Sequence, residues 1–482
     1  MYDARAMKTS RPLAIALACI AQGACLDATS GAQAGDAADT AQASDAVPDT
    51  TVVAPCPTAG TRLELLESDT GDFALGRCGA LAFWSEASPR ALRFLSASHD
   101  IIASHVDGNG FSGNVRISSS GTYVVASSVR SDLGFGDAAI GAFPSRGAFE
   151  VTRTIDFGGD PSITYDRPLL VGELLVYSEG LEDVQIYTLD LAAGTAPQAI
   201  TGMQPDWLYG SSQRTRDAFR VSSDGSRIVL ISVCEAFGAG SCKATVRTVF
   251  DNAGSVLATP TDWHDPLIGP GPIIAASSDD GTVVLDAAGT VHTIAGRTPV
   301  AVMHDHVITT RDARYYANFV DAVPTDLGAA STVVTSSGAY AAALFQSSES
   351  DNALSLWRNR KLVRADPMIT YTKLVHVSDD GITLALGAGQ TVLLDVDGTV
   401  LHQWSSHCAR NAQRVGGNLF FELCGTPNDE LHRFDVTTHD DVLIAEGHDF
   451  DYQADATATY VAFTYLPLSG TRRELHAGRI TP

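Results

Sequence analysis

The fold of this chain is decided by one stretch, Arg220-Val-Ser-Ser-Asp-Gly-Ser-Arg-Ile-Val-Leu-Ile-Ser232, in which apolar residues stand on either side of a Ser-Asp-Gly sequence. Asp and Gly tolerate the positive backbone angles of a tight turn, and the Val and Ile residues that follow favour a strand. The stretch therefore predicts a β-hairpin.

Two kinds of hairpin recur along the chain. The first repeats the Ser-Asp-Gly pattern, more or less closely, at residues 115–125, 276–285 and 375–384. The second consists of an apolar strand, an Asp-x-x-Gly turn and a return strand. Its copies lie at residues 249–257, 284–292 and 393–401, with looser copies at 188–195 and 433–439. Repetition of one sheet unit predicts an all-β chain built as a single β-propeller.

The number of blades follows from a count of apolar strand pairs. The two hairpins together recur about every 35 to 60 residues, close to the length of a four-stranded blade. Nine partial units lie near Leu81, Ile117, Leu169, Val221, Ile273, Val333, Val375, Val415 and Tyr460. We expect the last unit, with the strand at 473–480, to share a blade with the first, since sharing closes the ring and removes its free edge. The sequence therefore predicts eight blades, with seven as the alternative.

Composition limits the possible partners. The chain has 482 residues, 45% of them hydrophobic, and a formal net charge of -24. This length and composition can fill a large core. The negative charge opposes binding to nucleic acid or to an anionic membrane surface, so we expect neither as a partner. We expect the chain to act as a monomer.

The N-terminal residues predict export. Lys8 and Arg11 precede an apolar run, 12–24, that is too short to span a bilayer. Residues 21–25, Ala-Gln-Gly-Ala-Cys, resemble a bacterial lipobox, although Gln22 stands where that pattern prefers Leu. The resemblance implies that residues 1–25 are a signal peptide and that Cys25 is lipidated. An ordinary cleavage site, Ala-Gln-Ala at 32–34, is the alternative.

A tether follows the signal. Residues 26–55 are mainly Ala, Asp, Ser, Thr, Gly and Gln, with almost no large apolar side chains. Such a segment cannot offset the entropy lost on ordering, so it predicts a disordered linker before a propeller over residues 56–482. The expected location is the periplasm or the outer membrane and cell surface as a lipoprotein, or outside the cell as a secreted protein.

The cysteines favour the same compartment. Cys19 and Cys25 belong to the predicted signal and anchor, which leaves six. These fall into three local pairs: Cys56 with Cys78, Cys234 with Cys242, and Cys408 with Cys424. An exported chain meets an oxidising environment, so we predict three sequential disulfides, with isolated buried thiols as the alternative.

The Ser-Asp-Gly hairpins at 221–225, 278–281 and 377–381 resemble those of TolB-like propellers. The Pro that usually follows the serine in that family is absent, as is the Trp-Asp pair of WD-repeat propellers. The resemblance covers a few residues in each repeat. It implies a propeller with a binding surface and transfers no functional residues.

One hairpin resembles a catalytic motif. Residues 392–400 are similar to the first motif of haloacid dehalogenase phosphatases, in which Asp395 would be the nucleophile. The equivalent hairpins at Asp251 and Asp286 indicate the same turn without a second carboxylate. Only about eighty residues follow, too few for the rest of that α/β domain. We therefore interpret Asp395 as a turn residue.

A glycine-rich segment resembles two ligand-binding loops. Residues 108–113 match Gly-x-Gly-x-x-Gly, but a strand follows where a dinucleotide site needs a helix. Residues 107–111 are similar to the middle of an EF-hand loop, yet His105 and Arg116 occupy the first and last ligand positions. Both matches are interpreted as a loop.

Four clusters of His and Asp residues lie at 262–265, 304–306, 439–441 and 448–451. Such side chains can bind transition metals. Spacing within each cluster, however, places neighbours on opposite sides of a strand or in an irregular loop, so no single cluster makes a site. We therefore predict no metal, no cofactor and no catalytic residue.

These observations favour a non-enzymatic envelope lipoprotein whose propeller is a binding or assembly scaffold for a protein or carbohydrate partner. No Gly-x-Ser-x-Gly sequence is present, and there is no room for a hydrolase domain beside the propeller. The alternative is a secreted lyase or glycoside hydrolase that gathers carboxylates from several blades in the central channel.

Overall fold

The computed structural model describes the chain from residue 63 to residue 480. Its description leaves out 69, 86–90, 97, 99–100, 107–114, 119–122, 131–134, 143–149, 157–168, 180–183, 195, 204–212, 237–242, 320–322, 337–339, 348–351, 426–427, 456, 468–469 and 471. The predicted signal peptide, Cys25, the cleavage site at 32–34 and the predicted tether lie outside the described residues, as does the glycine-rich segment at 108–113.

The described residues form strands joined by turns and one 3-10 turn at Arg77–Gly79. The strands of the first half are β1 (Glu64–Ser68), β2 (Thr70–Leu75), β3 (Leu81–Ser85), β4 (Ala91–Leu95), β5 (Ile101–Val106), β6 (Val115–Ile117), β7 (Tyr123–Arg130), β8 (Phe135–Ala142), β9 (Glu150–Asp156), β10 (Leu169–Val171), β11 (Leu174–Glu179), β12 (Val184–Asp190), β13 (Gln198–Met203), β14 (Gln213–Val221), β15 (Arg227–Ala236), β16 (Thr245–Asp251), β17 (Val256–Ala258), β18 (His264–Ile268), β19 (Ile274–Ser278), β20 (Gly281–Leu285) and β21 (Val291–Ala295).

The strands of the second half are β22 (Thr298–Val302), β23 (Val307–Arg311), β24 (Arg314–Asn318), β25 (Thr325–Ala329), β26 (Thr332–Thr335), β27 (Ala341–Ser347), β28 (Asn352–Arg358), β29 (Lys361–Arg364), β30 (Tyr371–Val377), β31 (Thr383–Gly387), β32 (Gln390–Leu394), β33 (Val400–Trp404), β34 (Ala409–Val415), β35 (Asn418–Leu423), β36 (Asp429–Asp435), β37 (Asp441–Ala454), β38 (Tyr460–Leu466) and β39 (Glu474–Arg479).

These strands form antiparallel four-stranded units that follow one another in chain order, which is the arrangement of blades in a β-propeller. Blade 1 is β2–β5, blade 2 is β6–β9, and the series continues in fours to blade 8, β30–β33. First strands of neighbouring blades contact each other, as β2 does with β6 and β30 with β34. The first strand of each blade therefore lines the central channel.

The ring is closed by strands from both ends of the described chain. The long strand β37 pairs with β36 as the outer strand of blade 9 and, further along, with β38 as the inner strand of blade 10. The outermost strand of blade 10 is β1, which pairs with β39. Gln453 of blade 10 also hydrogen-bonds the backbone of Phe73 and Leu75 in blade 1. Closure thus supplies hydrogen-bond partners to the edge of β39, which would otherwise be exposed.

The prediction of eight blades, or of seven, is wrong, because the described strands form ten four-stranded units. Blade 6 had no hairpin signal: its β23–β24 turn is built from Asp312 and Ala313, both at positive φ, a conformation that Ala rarely adopts. The prediction also merged two blades, since the strand that closes blade 10 is Glu64–Ser68 and not the unit near Leu81.

The apolar core is divided among the junctions between blades. Within the described residues there are ten buried clusters, and each joins one blade to the next. Phe83 and Leu475, for example, belong to the cluster that joins blade 1 to blade 10. Alternating strand residues supply both faces of each blade, so the ten clusters independently support the count of ten blades.

Both predicted hairpins are present. The opening stretch is the β14–β15 hairpin, in which Val221 pairs with Ile228 and Gly225 has a φ of 73°. The Asp-x-x-Gly hairpins join the third and fourth strands of their blades. Asp395 accepts hydrogen bonds from the backbone N–H groups of Asp397 and Thr399, which is the role of a turn residue.

One predicted disulfide lies wholly within the described residues and is confirmed. Cys408 and Cys424 are bonded across β34 and β35, with their Cα atoms 5.1 Å apart. Cys78 is also disulfide-bonded. Its predicted partner Cys56, and Cys242 of the remaining pair, lie outside the described residues. In the same described part of the chain, no helix is long and apolar enough to cross a membrane.

Candidate functional site

The loops that join the first and second strands of blades 4 to 8 meet at one end of the channel, which we call the channel mouth. They contribute Asp224, Gly271, His304, Tyr340 and Asp379. These loops follow the inner strands directly, so their side chains come close together although they are far apart in sequence. The channel mouth is the candidate functional site.

Two aromatic rings form a platform at the mouth. The rings of His304 and Tyr340 are stacked, with centroids 4.7 Å apart and an interplanar angle of 23°. A Cβ atom at Gly271 would lie 2.9 Å from His304 Cδ2, so glycine leaves the room that the imidazole uses. Tyr340 is 47% exposed. A large side chain held in place and yet open to solvent is typical of a binding surface.

Three carboxylates surround the platform. Burial, together with the charges of Asp379, Asp305 and Asp224, raises the pKa of the Tyr340 hydroxyl, so all three act on this ring. Asp379 accepts a hydrogen bond from Ser336 Oγ at 2.5 Å, and it makes no ion pair with Lys or Arg in the described residues. The platform is therefore an electronegative surface around an exposed ring.

The loop of blade 4 fixes one of these carboxylates. Asp224 Oδ1 accepts hydrogen bonds from Ser222 Oγ at 2.6 Å and from the Ser226 backbone N–H at 2.9 Å. Burial opposes ionisation, but these hydrogen bonds, with the nearby His304, hold the pKa of Asp224 below its usual value. Asp224 is therefore a fixed negative charge at neutral pH.

His306 is part of the mouth but is not free for chemistry. Trp357 Nε1 donates to His306 Nε2 at 3.0 Å, and because an indole N–H only donates, that nitrogen is the acceptor. The proton lies on Nδ1, which donates to Asp305 Oδ1 at 2.6 Å. Burial lowers the pKa of His306 despite Asp305. Both ring nitrogens are occupied, so His306 positions Asp305 and is not a base or a metal ligand.

A cavity of about 530 Å³ lies beside the platform, against the inner strands of blades 3 to 7. Its wall mixes apolar side chains, among them Leu169, Pro266, Ile268 and Val302, with polar groups. Arg220 is the cationic side chain in this wall. Its volume is within the range of ligand-binding sites, so the mouth combines a recess of mixed polarity with an acidic, aromatic rim.

The four His and Asp clusters are separated by the fold. Residues 304–306 belong to the mouth. Asp265 lies instead on β18 of blade 5, where it accepts a hydrogen bond from the backbone N–H of Ala244. Asp441 pairs with His432 on the outer part of blade 9. Among the described residues, no group of three or more His, Cys, Asp or Glu side chains is arranged to hold a metal ion.

His432 gives the fold a pH dependence. It is buried between Asp441, 2.9 Å from Nδ1, and Glu430, 3.0 Å from Nε2, and Trp404 Nε1 also donates to Asp441 at 2.7 Å. Burial alone would lower the pKa of His432, but the two carboxylates outweigh it and raise the pKa above its usual value.

Because the folded-state pKa of His432 is raised, its stabilising effect is complete below the unfolded-state pKa of about 6.5 and is lost as the pH rises through the folded-state pKa. We expect the urea midpoint of the wild type to fall over that window. His432→Gln should flatten this part of the pH profile, and an unchanged slope in the variant would assign the effect to another group.

Sequence reasoning found part of the mouth. It singled out residues 304–306 and quoted both Ser-Asp-Gly hairpins that carry Asp224 and Asp379, but it treated these carboxylates only as turn residues. It did not identify Tyr340, which follows a Ser-Ser-Gly sequence that lacks the Asp of the other copies. The signal that was available is positional: each of these residues follows an inner strand at the same end of its blade.

Comparisons with known proteins are limited to fold. No protein-family model and no curated protein matches the sequence. The Dos1 propeller is similar in structure, with 10% sequence identity and a TM-score of 0.39 over 87% of this chain and 96% of that chain. The β-propeller domain of the Trilobed protease from Pyrococcus furiosus has 12% identity and a TM-score of 0.34 over 76% and 94%.

The tricorn protease has 11% identity and a TM-score of 0.30 over 87% of this chain and 54% of that chain, so the present chain spans about half of its length. These likenesses carry no argument about activity. The protein is a β-propeller by its own sheet topology, and the TolB-like resemblance and the lipid anchor stay predictions.

Proposed function

We propose that this chain is an exported, non-enzymatic binding protein whose propeller holds a polypeptide partner at the channel mouth. The observation that carries the proposal is the exposed His304–Tyr340 platform with Asp224, Asp305 and Asp379 around it. A Lys or Arg side chain over Tyr340 would gain a cation–π contact and the attraction of three carboxylates.

The cavity supports an occupant that is basic and also partly apolar. An apolar side chain that follows the basic one can enter the recess between Pro266 and Val302, where it leaves water. A net charge of -24 attracts a basic partner over a distance as well. The proposed location is the cell envelope, with Cys25 as the lipid anchor and residues 26–55 as the tether, and this part rests on sequence alone.

Replacing Tyr340 with alanine tests the proposal. We expect the wild type to bind a Lys-rich hexapeptide in fluorescence anisotropy, and Tyr340→Ala to weaken binding about tenfold, the equivalent of about 1.4 kcal/mol for a partly desolvated cation–π contact. Asp379→Asn should weaken binding less and should reduce its dependence on salt.

Met368→Ala is the matched control. Met368 is 89% exposed and lies between β29 and β30, at the opposite end of the blades from the mouth. Equal losses in Met368→Ala and Tyr340→Ala, or no binding of the peptide by the wild type, would contradict the proposed site.

A second candidate function, a glycoside hydrolase or lyase, is favoured by one observation in the channel. Burial and the charge of Asp72 raise the pKa of Asp451, so two carboxyl groups on the inner strands of neighbouring blades act on each other. Glycosidases need such a pair about 5–10 Å apart. Release of shortened products from an oligosaccharide would favour this candidate over the binding protein.

A further inference from the structure

A second cavity lies in the channel wall between blades 9 and 10, away from the mouth loops of blades 4 to 8. It has a volume of about 340 Å³ and is lined by Asn411, Gln413, Phe450, Asp451 and Tyr452. We call it the wall pocket. All five residues belong to β34 and β37, the inner strands of these two blades.

Irregular backbone in both strands creates the wall pocket. The register of β34 shifts between Arg410 and Gln413, and that of β37 shifts between His448 and Asp451. Asn411 and Asp449, which lie in these two bulges, have positive φ values of 51° and 53°. Bulges re-aim side chains, and positive φ at residues other than glycine is costly. Because both Asn411 and Asp449 adopt this costly conformation beside the wall pocket, the strain indicates a functional binding site.

A buried charge orients one side chain of the pocket. Glu422 is fully buried and accepts hydrogen bonds from Arg410 Nε at 2.7 Å and Asn411 Nδ2 at 2.6 Å. Because a carboxylate only accepts, the assignment of the Asn411 amide is fixed. Its Oδ1 is left as an oriented acceptor, held by a side chain that water does not reach.

The other amide and carboxyl groups of the pocket, those of Gln413 and Asp451, make no hydrogen bonds with other described residues. Gln413 is exposed and its amide makes no hydrogen bond within the described residues, so it offers both a donor and an acceptor. Asp451 likewise has no hydrogen-bond partner there. Burial and Asp72 raise its pKa, and Arg473 and Arg116 oppose the shift without cancelling it. Phe450 and Tyr452 supply an apolar wall.

We propose that the wall pocket binds a saccharide, through Asn411, Gln413 and Asp451, independently of the channel mouth. Neighbouring sugar hydroxyls donate and accept at once and so match planar amide and carboxyl groups. An anionic ligand would meet Asp451 and no cation in the pocket lining. The volume, at the small end of ligand sites, fits one or two sugar rings.

The test is calorimetric titration of the whole protein with cellobiose, maltose, mannobiose, xylobiose and N,N′-diacetylchitobiose. We expect at least one of these sugars to bind with a Kd of about 1 mM. Gln413→Ala should weaken binding about fivefold, as loss of one or two hydrogen bonds does. Asp451→Ala should weaken it more, while Asp451→Asn, which keeps the shape and an accepting oxygen, should bind within about threefold of the wild type.

Gln403→Ala is the matched control, because Gln403 is an exposed amide on the outer strand of blade 8. Tyr340→Ala should also leave sugar binding unchanged, which separates this pocket from the proposed function of the mouth. Cleavage of a bound sugar would support the pocket and favour the enzyme candidate. Failure of all five sugars to bind, or equal binding by the wild type, Gln413→Ala and Asp451→Ala, would overturn the proposal.

Discussion

Trp357→Phe is expected to destabilise the protein more than Trp84→Phe, although both indole rings are buried. Trp357 Nε1 donates to His306 Nε2, whereas the buried Trp84 Nε1 has no hydrogen-bond partner among the described residues. Both substitutions remove similar apolar area, but only the first leaves a buried acceptor unsatisfied. The difference should be about 1–3 kcal/mol in the free energy of unfolding from urea titrations.

Trp357→Ala should destabilise the protein by about 4 kcal/mol in the free energy of unfolding. Trp357 is 1% exposed and packs in the cluster that joins blades 6 and 7. Its removal also frees His306, which holds Asp305 at the mouth, so peptide binding should weaken in any fraction that stays folded. Similar stabilities for Trp357→Phe and Trp84→Phe would show that the hydrogen bond to His306 contributes nothing.

Arg410→Ala is expected to lower the free energy of unfolding by about 3 kcal/mol at neutral pH, because it leaves the buried charge of Glu422 without its cationic partner. Arg410 is the cation that pairs with Glu422, at 2.7 Å, and it also pairs with Asp429. We place the cost at the low end for a broken buried pair, since the Arg410 side chain is 44% exposed and water can enter where it stood.

The pH dependence makes this prediction specific. In Arg410→Ala the unpaired Glu422 should take up a proton in the folded state, so the deficit relative to the wild type should shrink as the pH falls. Adding Glu422→Gln should restore part of the loss. Arg314→Ala is the matched control: Arg314 and Asp326 form an exposed pair at 2.7 Å, and their loss should change stability little at any pH.

The sequence was sufficient for the fold class because the turn residues are chemically distinctive. Asp251, Asp286 and Asp395 all accept backbone hydrogen bonds in equivalent turns, as their spacing predicted. Blade counting failed where this chemistry is absent or displaced. The Ser-Asp-Asp-Gly sequence ending at Gly281 joins the second and third strands of blade 5, whereas the same sequence ending at Gly381 joins the first and second strands of blade 8.

The candidate site was less predictable because loops from different blades of the propeller form it. His304 and Tyr340 stand in different blades, and nothing local in the sequence pairs them. The role of the buried Glu422 was equally hard to predict. In the sequence it is one polar residue in the apolar strand β35, and its hydrogen-bond partners lie on the neighbouring strand β34. Turn chemistry is local and was therefore visible, whereas convergence of loops requires the correct number and order of blades.

Closure by β1 also sets the order in which the molecule can mature. Glu64 pairs with Ala477, so β1 has to wait for β39, which is synthesised more than four hundred residues later. Until then the inner blades can assemble in sequence, but the first and tenth blades each expose an apolar face and an open strand edge. The loop that this pairing closes is nearly as long as the described chain, which makes ring closure a slow, late event. We therefore expect a nascent chain that ends before β39 to bind chaperones and to leave Phe73 and Phe83 exposed, because both pack against Leu475 at the closing junction. The released full-length chain should bury both residues.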